Sequence, residues 1–399
     1  MVPSHEYRFR RLGAVLAEWQ PVWQPLPFQH RRLSWECRYP AMAEALRALP
    51  EDETERLQAD PFTASPLSSW LPMDELAELV ALPDLAPRGP TLPDAWGTFV
   101  GGRKWRQIQA FAPLVTPDAD LVEWCAGKGH LARGVARWHG VGIQALEWQV
   151  ELCRSGHELA QRQGAAVQLH QQDVLAEDAS HWLTPSTRVM ALHACGDLHG
   201  RLLELAARRG ASVTLAPCCY QRTEAERYRP LSEQGRQDMA EQGWRLCRDD
   251  LSMAVQETVT APSGVRRQRR RANAWRLGFD ALQRDVLGRD AYLPVPSLAY
   301  GRMPDDFAAF CHWAAERKAV ALPPAHVDWA GYEAEGFRRL DEVTRLELVR
   351  HVFRRPLEVW LALDRVRLME EAGFRVGFGT FCERDLTPRN LVIEAAPAG

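Results

Sequence analysis

The segment 121–131 constrains the fold of this chain more than any other. A short apolar run ends in Glu123, and Gly127 and Gly129 follow it closely. Apolar residues then recur at helical spacing, at Leu131, Val135 and Trp138. This pattern predicts a strand, a tight glycine turn and a helix. Because glycine lets the backbone approach a ligand and helix amides face that turn, we expect a nucleotide-like cofactor there.

Composition limits where such a chain works and what it attracts. Its 399 residues permit two or three domains, and a formal net charge of −3 excludes a global basic field for nucleic acid. Nine cysteines without dense spacing favour a reducing compartment over a disulfide framework. The N-terminus lacks the apolar core of a signal peptide, and no run approaches the ~20 apolar residues that span a bilayer. We therefore expect a cytoplasmic protein with no membrane partner.

Strands and helices alternate through the middle of the chain. The predicted strands are 119–123, 142–147, 166–170, 188–193 and 212–216. Predicted helices separate them at 131–138, 150–163 and 198–209, and another, at 101–114, precedes the first strand. Repeated alternation of this kind predicts an α/β fold, with a parallel sheet covered by helices on both faces.

The alternation stops after Pro217 and resumes near Leu357. The intervening stretch is mostly helical by pattern and carries the basic run 266–271, with five arginines in six positions. A final helix, a strand at 374–381, a short turn and a strand at 391–394 predict a terminal antiparallel hairpin. The predicted organisation is a helical N-terminal region (1–95), the first part of the core (96–220), a helical insertion (221–350) and the last helix and hairpin of the core (351–399).

Two cofactors compete for the glycine turn. Gly127-x-Gly129-x-x-Ala132 satisfies the dinucleotide pattern, and Glu147 ends the second strand, where an acid binds ribose hydroxyls. This alone permits NAD. Three further features favour S-adenosylmethionine: Glu123, suited to the cationic methionine amine, Asp173 after the third strand, placed to meet the adenine amine, and the terminal hairpin. For each acid the alternative is a helix cap or a solvated turn residue.

Motifs at the ends of the later strands carry a family resemblance. The fourth strand ends in His193-Ala194-Cys195-Gly196-Asp197, and the fifth in Pro217-Cys218-Cys219-Tyr220. With the glycine turn and the late Pro388-Arg389-Asn390, they resemble a group of class I methyltransferases over residues 100–397. The group includes eukaryotic methyltransferase-like proteins, the methyltransferase domain of the glutathione S-transferase C-terminal-domain-containing protein and, more remotely, tRNA ribose 2′-O-methyltransferases.

The resemblance implies a seven-stranded Rossmann-like methyltransferase sheet whose last strand runs antiparallel. It also exposes two departures from the general pattern. The first glycine of the usual turn is Cys125, whose β-carbon would strain a positive φ angle. The fourth strand lacks the Asn/Asp-Pro-Pro-aromatic motif that many amino methyltransferases use, which argues against adenine or glutamine N-methylation.

Side chains at the carboxyl ends of parallel strands should gather around the ligand. Of these, Asp197 is the predicted base or orienting acceptor, and Tyr220 is predicted to stack on or hydrogen-bond a planar substrate. His193 is a second candidate base that also borders the cofactor, although a histidine ending a buried strand is more often a structural residue. The predicted cofactor contacts are Glu123, Cys125, Gly127, Gly129, Glu147, Asp173 and His193.

The cysteines invite two further readings. Cys218 and Cys219 are assigned to substrate contact, and a catalytic thiolate at Cys218 stays open, against the alternative that small, soft side chains only let backbone approach a ligand. Zinc is the other reading, with ligands drawn from Cys125, Cys195, Cys218 and Cys219 and from His130 or His193. We nevertheless expect no metal site, because no Cys-x-x-Cys pair exists and adjacent cysteines on a strand should point in different directions.

The arginine run suggests what the substrate is. Arg266, Arg267 and Arg270 are assigned to substrate binding because arginine suits bidentate phosphate contacts, so RNA is the expected partner. The alternative is a charged face paired with nearby acids. The predicted function is therefore an S-adenosylmethionine-dependent methyltransferase acting on tRNA or rRNA. Alternatives are a protein or small-molecule methyltransferase, an NAD(P)-dependent oxidoreductase and a non-catalytic RNA-binding module.

Overall fold

The computed structural model describes residues 3–256, 263–298, 302–323 and 327–398. The predicted insertion 221–350 includes positions outside these ranges. The described chain falls into two compact units, the first built from 1–17, 76–256 and 354–399 and the second from 18–75 and 257–353. No helix among the described residues is both long enough and apolar enough to cross a membrane.

The first unit is built on one mixed sheet of seven strands. The strands are β1 Asp120–Trp124, β2 Ile143–Glu147, β3 Val167–Gln171, β4 Thr187–Cys195, β5 Ser212–Cys218, β6 Phe374–Thr380 and β7 Leu391–Pro397. Their order is β3-β2-β1-β4-β5-β7-β6, with β1 to β5 paired in parallel and β7 antiparallel to both β5 and β6. The predicted fold class, including the antiparallel last strand, is confirmed.

The described residues form fourteen α-helices. They are α1 His5–Glu18, α2 Gln20–Trp23, α3 Pro40–Arg47, α4 Glu51–Ala59, α5 Met73–Val80, α6 Gly102–Phe111, α7 His130–His139, α8 Val150–Arg162, α9 Asp197–Arg209, α10 Glu233–Gln242, α11 Arg248–Val255, α12 Ser263–Leu287, α13 Phe307–Lys318 and α14 Trp329–Glu371. Helices α12 and α13 belong to the second unit, whereas α14 contributes residues to both.

Alternate residues of the strands fill two apolar layers, one on each face of the sheet. One layer joins Leu121 and Ile143 to residues of α6, α7 and α8. The other joins Val122 and Val189 to residues of α9 and α14. The central strands are buried on both faces, and a turn follows each of them. The carboxyl edge of β1, β2, β4 and β5 is where these turns meet.

Candidate functional site

The glycine turn after β1 adopts the conformation that its sequence demands. Cys125, Gly127 and Gly129 all have φ in the left-handed region, at 57°, 58° and 64°. The amide of Ala126 donates to the carbonyl of Leu146 at 2.8 Å, so the turn stays tied to β2. Cys125 adopts the strained geometry expected of a non-glycine residue, and such strain is characteristic of functional sites.

Glu123 lies at the base of this turn and is almost sealed from solvent, with 4% exposure. One of its carboxylate oxygens accepts a hydrogen bond from the Ala132 amide in the first turn of α7, at 3.0 Å. Burial raises the pKa of Glu123 to about 7, although that amide and the charges of Lys104 and Arg133 oppose the rise. The carboxyl group therefore caps α7 and sits at the border of ionisation near neutral pH.

Glu147 ends β2 and holds the turn from the other side. Its two carboxylate oxygens accept hydrogen bonds from the amides of Gly127, at 2.9 Å, and Gln149, at 3.0 Å. The side chain is 6% exposed, and each oxygen keeps a second lone pair for a ligand. Asp173, in contrast, is exposed after β3, where it accepts from the Leu175 amide at 2.9 Å.

The predicted cofactor residues converge around Cys125. Burial raises the pKa of the Cys125 thiol to about 12, and the charges of Glu147, Cys195, Glu123 and Asp173 raise it further. Strands β3, β2, β1 and β4 are parallel neighbours in the sheet, so their carboxyl ends lie along the same edge.

Lys104 is a site residue that sequence reasoning missed. It lies exposed on α6, and its charge acts on Glu123, His130 and His193. Desolvation, together with Arg133 and Lys104, lowers the pKa of His130 to about 4. The available signal was a basic side chain in the first turn of α6, the helix that leads into β1.

Strand β4 ends in a β-bulge at the edge of the sheet where the candidate site lies. The pairing of β4 with β5 shifts between Leu192 and Cys195, and His193 within this bulge has φ 74°. The bulge turns the His193 side chain outward, so that it is exposed. Desolvation by its neighbours and the charge of Lys104 lower its pKa, so the imidazole is neutral at neutral pH.

Three cysteine sulfurs meet beyond this bulge. The Sγ atoms of Cys195, Cys218 and Cys219 all lie within 4.8 Å of one another, and those of Cys195 and Cys218 are 3.5 Å apart. The expectation that Cys218 and Cys219 point apart is wrong. Strand β5 ends at Cys218, and Cys219 takes φ 49°, which turns its side chain back toward its neighbour.

Asp197 begins α9 beside a cavity. It is exposed, its amide donates to the Arg222 carbonyl at 3.0 Å, and one carboxylate oxygen accepts from the Glu224 amide at 2.7 Å. The cavity has a volume of about 510 Å³. Its lining consists of Gly196, Asp197, Gly200, Tyr220, Thr223, Glu224, Ala225, Tyr228, Arg229, Leu231 and Arg365. Asp197 can therefore face a molecule of substrate size.

Tyr220 forms a wall of this cavity rather than a polar contact in it. The residue is 2% exposed, and its hydroxyl is inaccessible and has no hydrogen-bond partner among the described residues. The Arg365 guanidinium carbon lies 4.9 Å from the ring centroid. Burial raises the pKa of the phenol. This placement argues against the predicted contact of its hydroxyl with a planar substrate.

A buried network that sequence reasoning missed holds the cavity in shape. His199, fully buried in α9, bonds the Ala194 carbonyl at 3.1 Å and accepts from Arg365 Nε at 3.0 Å. Burial and the Arg365 charge lower the pKa of His199 to about 3, so it stays neutral. Asp364, also fully buried, accepts a hydrogen bond from the Tyr228 hydroxyl at 2.5 Å. It also accepts from the amides of Leu231 and Ser232 and from the Ser232 hydroxyl.

The arginine run lies in α12, within the second unit. Its side chains are exposed, but Arg270 pairs with Asp341 at 2.7 Å and Arg271 lies over the Trp275 ring. Among the described residues no ionic partner is found for Arg267 or Arg269. Arg270 thus fits the alternative of a charged face paired with acids, whereas Arg267 and Arg269 are open to a ligand.

Comparisons with known proteins bear on this site. Residues 103–226 match a family model described as a methyltransferase domain. No curated protein sequence matches the chain significantly. Among solved structures, the neighbours include a Galdieria sulphuraria protein described as a sarcosine dimethylglycine methyltransferase (15% identity, 28% of this chain and 44% of that one, TM-score 0.22).

Two further neighbours are a geranyl diphosphate methyltransferase in complex with GPP and sinefungin and a coclaurine N-methyltransferase bound to N-methylheliamine and SAH. The first is 14% identical over 42% of this chain and 65% of that one, with a TM-score of 0.25. The second is 12% identical over 52% of this chain and 62% of that one, with a TM-score of 0.26. The chain covers less than two thirds of the length of each of the three neighbours.

The matched range 103–226 contains the glycine turn, the acids that end β1 and β2, and the cysteines that follow β4 and β5. Strands β6 and β7 complete the sheet, with β7 antiparallel to both β5 and β6. Residues 103–226 are therefore similar to a methyltransferase domain, and they form part of the mixed seven-stranded sheet.

Proposed function

We propose that this protein transfers a methyl group from S-adenosylmethionine to an acceptor that binds beyond the carboxyl ends of β4 and β5. The observation that carries the proposal is that two buried acids hold the glycine turn, Glu147 by accepting from the Gly127 amide and Glu123 by accepting from the Ala132 amide. A dinucleotide would use the acid after β2 alone, whereas a sulfonium cofactor with a cationic amine also uses the buried acid at the end of β1.

Each group then has a part of the cofactor to meet. Glu147 accepts from the ribose hydroxyls through its remaining lone pairs, and Asp173 accepts from the adenine amine. Glu123 pairs with the ammonium of the methionine moiety. Lys104, whose charge already reaches Glu123, pairs with the carboxylate of that moiety. Opposite charges on one amino acid group are thus met by opposite charges of the protein.

The transfer step needs alignment and a proton acceptor. The acceptor atom attacks the methyl carbon in line with the carbon–sulfur bond, whose electrons pass to the sulfur as the neutral thioether leaves. The acceptor's proton passes to a protein base. Asp197 lines the cavity with one carboxylate oxygen bound to an amide and the other oriented by it. His193 is a second base that is neutral at neutral pH.

Titration of the full chain with S-adenosylmethionine in a calorimeter tests the cofactor. We expect one site, with no competition from NADH. Asp197→Ala should keep the cofactor Kd near that of the wild type and lower kcat by about 10²- to 10⁴-fold, the usual contribution of a positioned base. The matched control is Asp249→Ala, an exposed acid in the first turn of α11.

Three results would count against the proposal. Binding of NADH in place of S-adenosylmethionine would favour an oxidoreductase. Loss of cofactor affinity in Asp197→Ala would move this residue to the cofactor site. Cofactor binding without methyl transfer to any RNA, protein or small-molecule fraction would favour a non-catalytic module.

For the acceptor, we propose RNA, held through phosphate contacts with the arginine run of α12. Support comes from Arg267 and Arg269, which are exposed and have no ionic partner in the described parts of the chain, since guanidinium groups bind phosphate in a bidentate manner. Protein and small-molecule acceptors are the alternatives.

Salt dependence tests the RNA proposal. Neutralising Arg266, Arg267 and Arg269 to Gln should weaken RNA binding and reduce the slope of log K against log salt by about 2 to 3, as expected for three lost phosphate contacts. Binding is measured by fluorescence anisotropy with labelled tRNA. The control is the triple Gln variant of three exposed arginines of the same unit, Arg302, Arg317 and Arg338. An unchanged slope in the first variant would rule out this contact.

A further inference from the structure

The cysteine cluster at the ends of β4 and β5 has the donor set and spacing of a metal site. Cys195 and Cys218 are direct partners in the sheet register, so their side chains emerge side by side on one face. Cys219 joins them through its left-handed backbone. A tetrahedral zinc ion with Zn–S bonds of about 2.3 Å holds its sulfurs about 3.8 Å apart. The observed separations, 3.5 Å for one pair and at most 4.8 Å for any, bracket that value.

We propose that Cys195, Cys218 and Cys219 bind one zinc ion as thiolates. Three S–H protons leave to solvent as three S–Zn bonds form. Among the described residues no fourth cysteine, histidine or acid joins this group within the same distance. Three protein ligands with an open fourth position are the pattern of catalytic rather than structural zinc. That position would take water or a sulfur or nitrogen atom of the acceptor.

The hydrogen bonds that the Cys195 and Cys218 thiols donate are too weak to compete with zinc binding. Cys195 and Cys218 lie 3.4 Å and 3.5 Å from the carbonyls of His193 and Ala194, as weak S–H donors. Such bonds are second-order interactions, whereas zinc–thiolate bonds are strong enough to drive the folding of small domains. Cys195 and Cys219 are half-buried, so an ion can reach the cluster from solvent.

The charges around the cluster also suit it. Zinc with three thiolates carries one net negative charge, which a partly buried site must offset. Arg222 and Arg389 lie close enough for their charges to act on Cys219. Arg389 is held in position by a hydrogen bond to the Val255 carbonyl at 2.9 Å. The late Arg-Asn motif is thereby brought to the cysteine cluster by the fold.

The metal content of the full chain tests this inference independently of methyl transfer. Protein purified under reducing conditions without chelators should contain one zinc per chain by inductively coupled plasma mass spectrometry. Each of Cys195→Ser, Cys218→Ser and Cys219→Ser should lower the apparent zinc affinity by more than about 100-fold, beyond the usual effect of losing a supporting contact. Cys382→Ser, which removes a half-buried thiol outside the cluster, should leave it unchanged.

Cobalt substitution of the wild-type protein covers the case in which a serine variant fails to fold. Addition of cobalt should produce tetrahedral ligand-field bands and sulfur-to-cobalt charge-transfer absorption. Subsequent addition of zinc should displace the cobalt and abolish these bands. The proposal is overturned if zinc-supplied protein contains no zinc and has three titratable thiols at these positions. It is equally overturned if Cys195 and Cys218 form a disulfide in the isolated protein, seen as a loss of two hydrogens in the intact mass.

Discussion

Replacing Glu123 by Gln should weaken S-adenosylmethionine binding by about 10- to 100-fold at pH 8, because a charge-assisted hydrogen bond to the cofactor ammonium is lost. In the wild type, the pKa of Glu123 is raised to about 7 by burial, so the carboxyl group is partly protonated at neutral pH. The ammonium prefers the ionised form. Cofactor binding should therefore release a proton near pH 7, and wild-type affinity should weaken as the pH falls below 7.

The same substitution should act on stability in the opposite direction. The folded chain binds the Glu123 proton more tightly than the unfolded chain, in which the pKa of this carboxyl group is near the ordinary glutamate value of 4.5. This contribution to stability is full below pH 4.5 and is lost as the pH rises through 7, a total of at most about 3 kcal/mol. Without cofactor, Glu123→Gln should be more stable than the wild type at pH 8 and similar to it below pH 4.5.

Calorimetry in buffers with different ionisation enthalpies measures proton release, and urea unfolding at several pH values measures stability. The control is Glu158→Gln, an exposed acid on α8. Equal affinity of Glu123→Gln and wild type, with no proton released by either, would show that this carboxyl group only caps α7.

Gly196→Ala should destabilise the first unit by more than about 4 kcal/mol, an effect reserved for severe backbone or packing conflicts. Gly196 links β4 to α9 with φ 55° and ψ −120°, a region that side chains rarely allow. A β-carbon there would lie 1.9 Å from the Arg222 carbonyl oxygen. That oxygen also accepts from the Asp197 amide, so relief of the clash would displace the predicted base.

Gly200→Ala is the matched control, one helical turn further along α9. Its added β-carbon would meet nothing closer than 3.7 Å, and alanine favours a helix over glycine by up to about 1 kcal/mol. Urea unfolding should therefore show opposite signs for the two variants. A Gly196→Ala protein within 1 kcal/mol of the wild type, with full cofactor binding, would contradict the account of this turn.

Local pattern was enough to predict most of the sheet. Strands β1 to β5 and the hairpin appear within a few residues of their predicted bounds, because each is an apolar run bounded by turn residues. Cys125 was identified from the sequence as the departure from the glycine turn, and its φ of 57° lies in the region that a β-carbon strains. These features depend only on neighbours along the chain.

The composition of the site could be predicted less well. Lys104 is remote in sequence from the acids it influences, and only the packing of α6 beside the sheet brings it there. Tyr220 sits in a motif that predicts exposure at a strand end, yet the chain turns it inward against Arg365. The meeting of Cys218 and Cys219 depends on where β5 stops pairing, which no local signal specifies.

By itself, the sequence determined the α/β class, the glycine turn and the identity of the acids at the carboxyl ends of β1 and β2 and after β3. Hydrophobic period and turn chemistry act over a few residues and need no partner. Only the tertiary structure decided that Glu123 is buried enough to hold a proton near pH 7, and that three cysteines from two strands converge. Burial and side-chain convergence arise from strand register and from packing between distant segments, which a linear pattern does not contain.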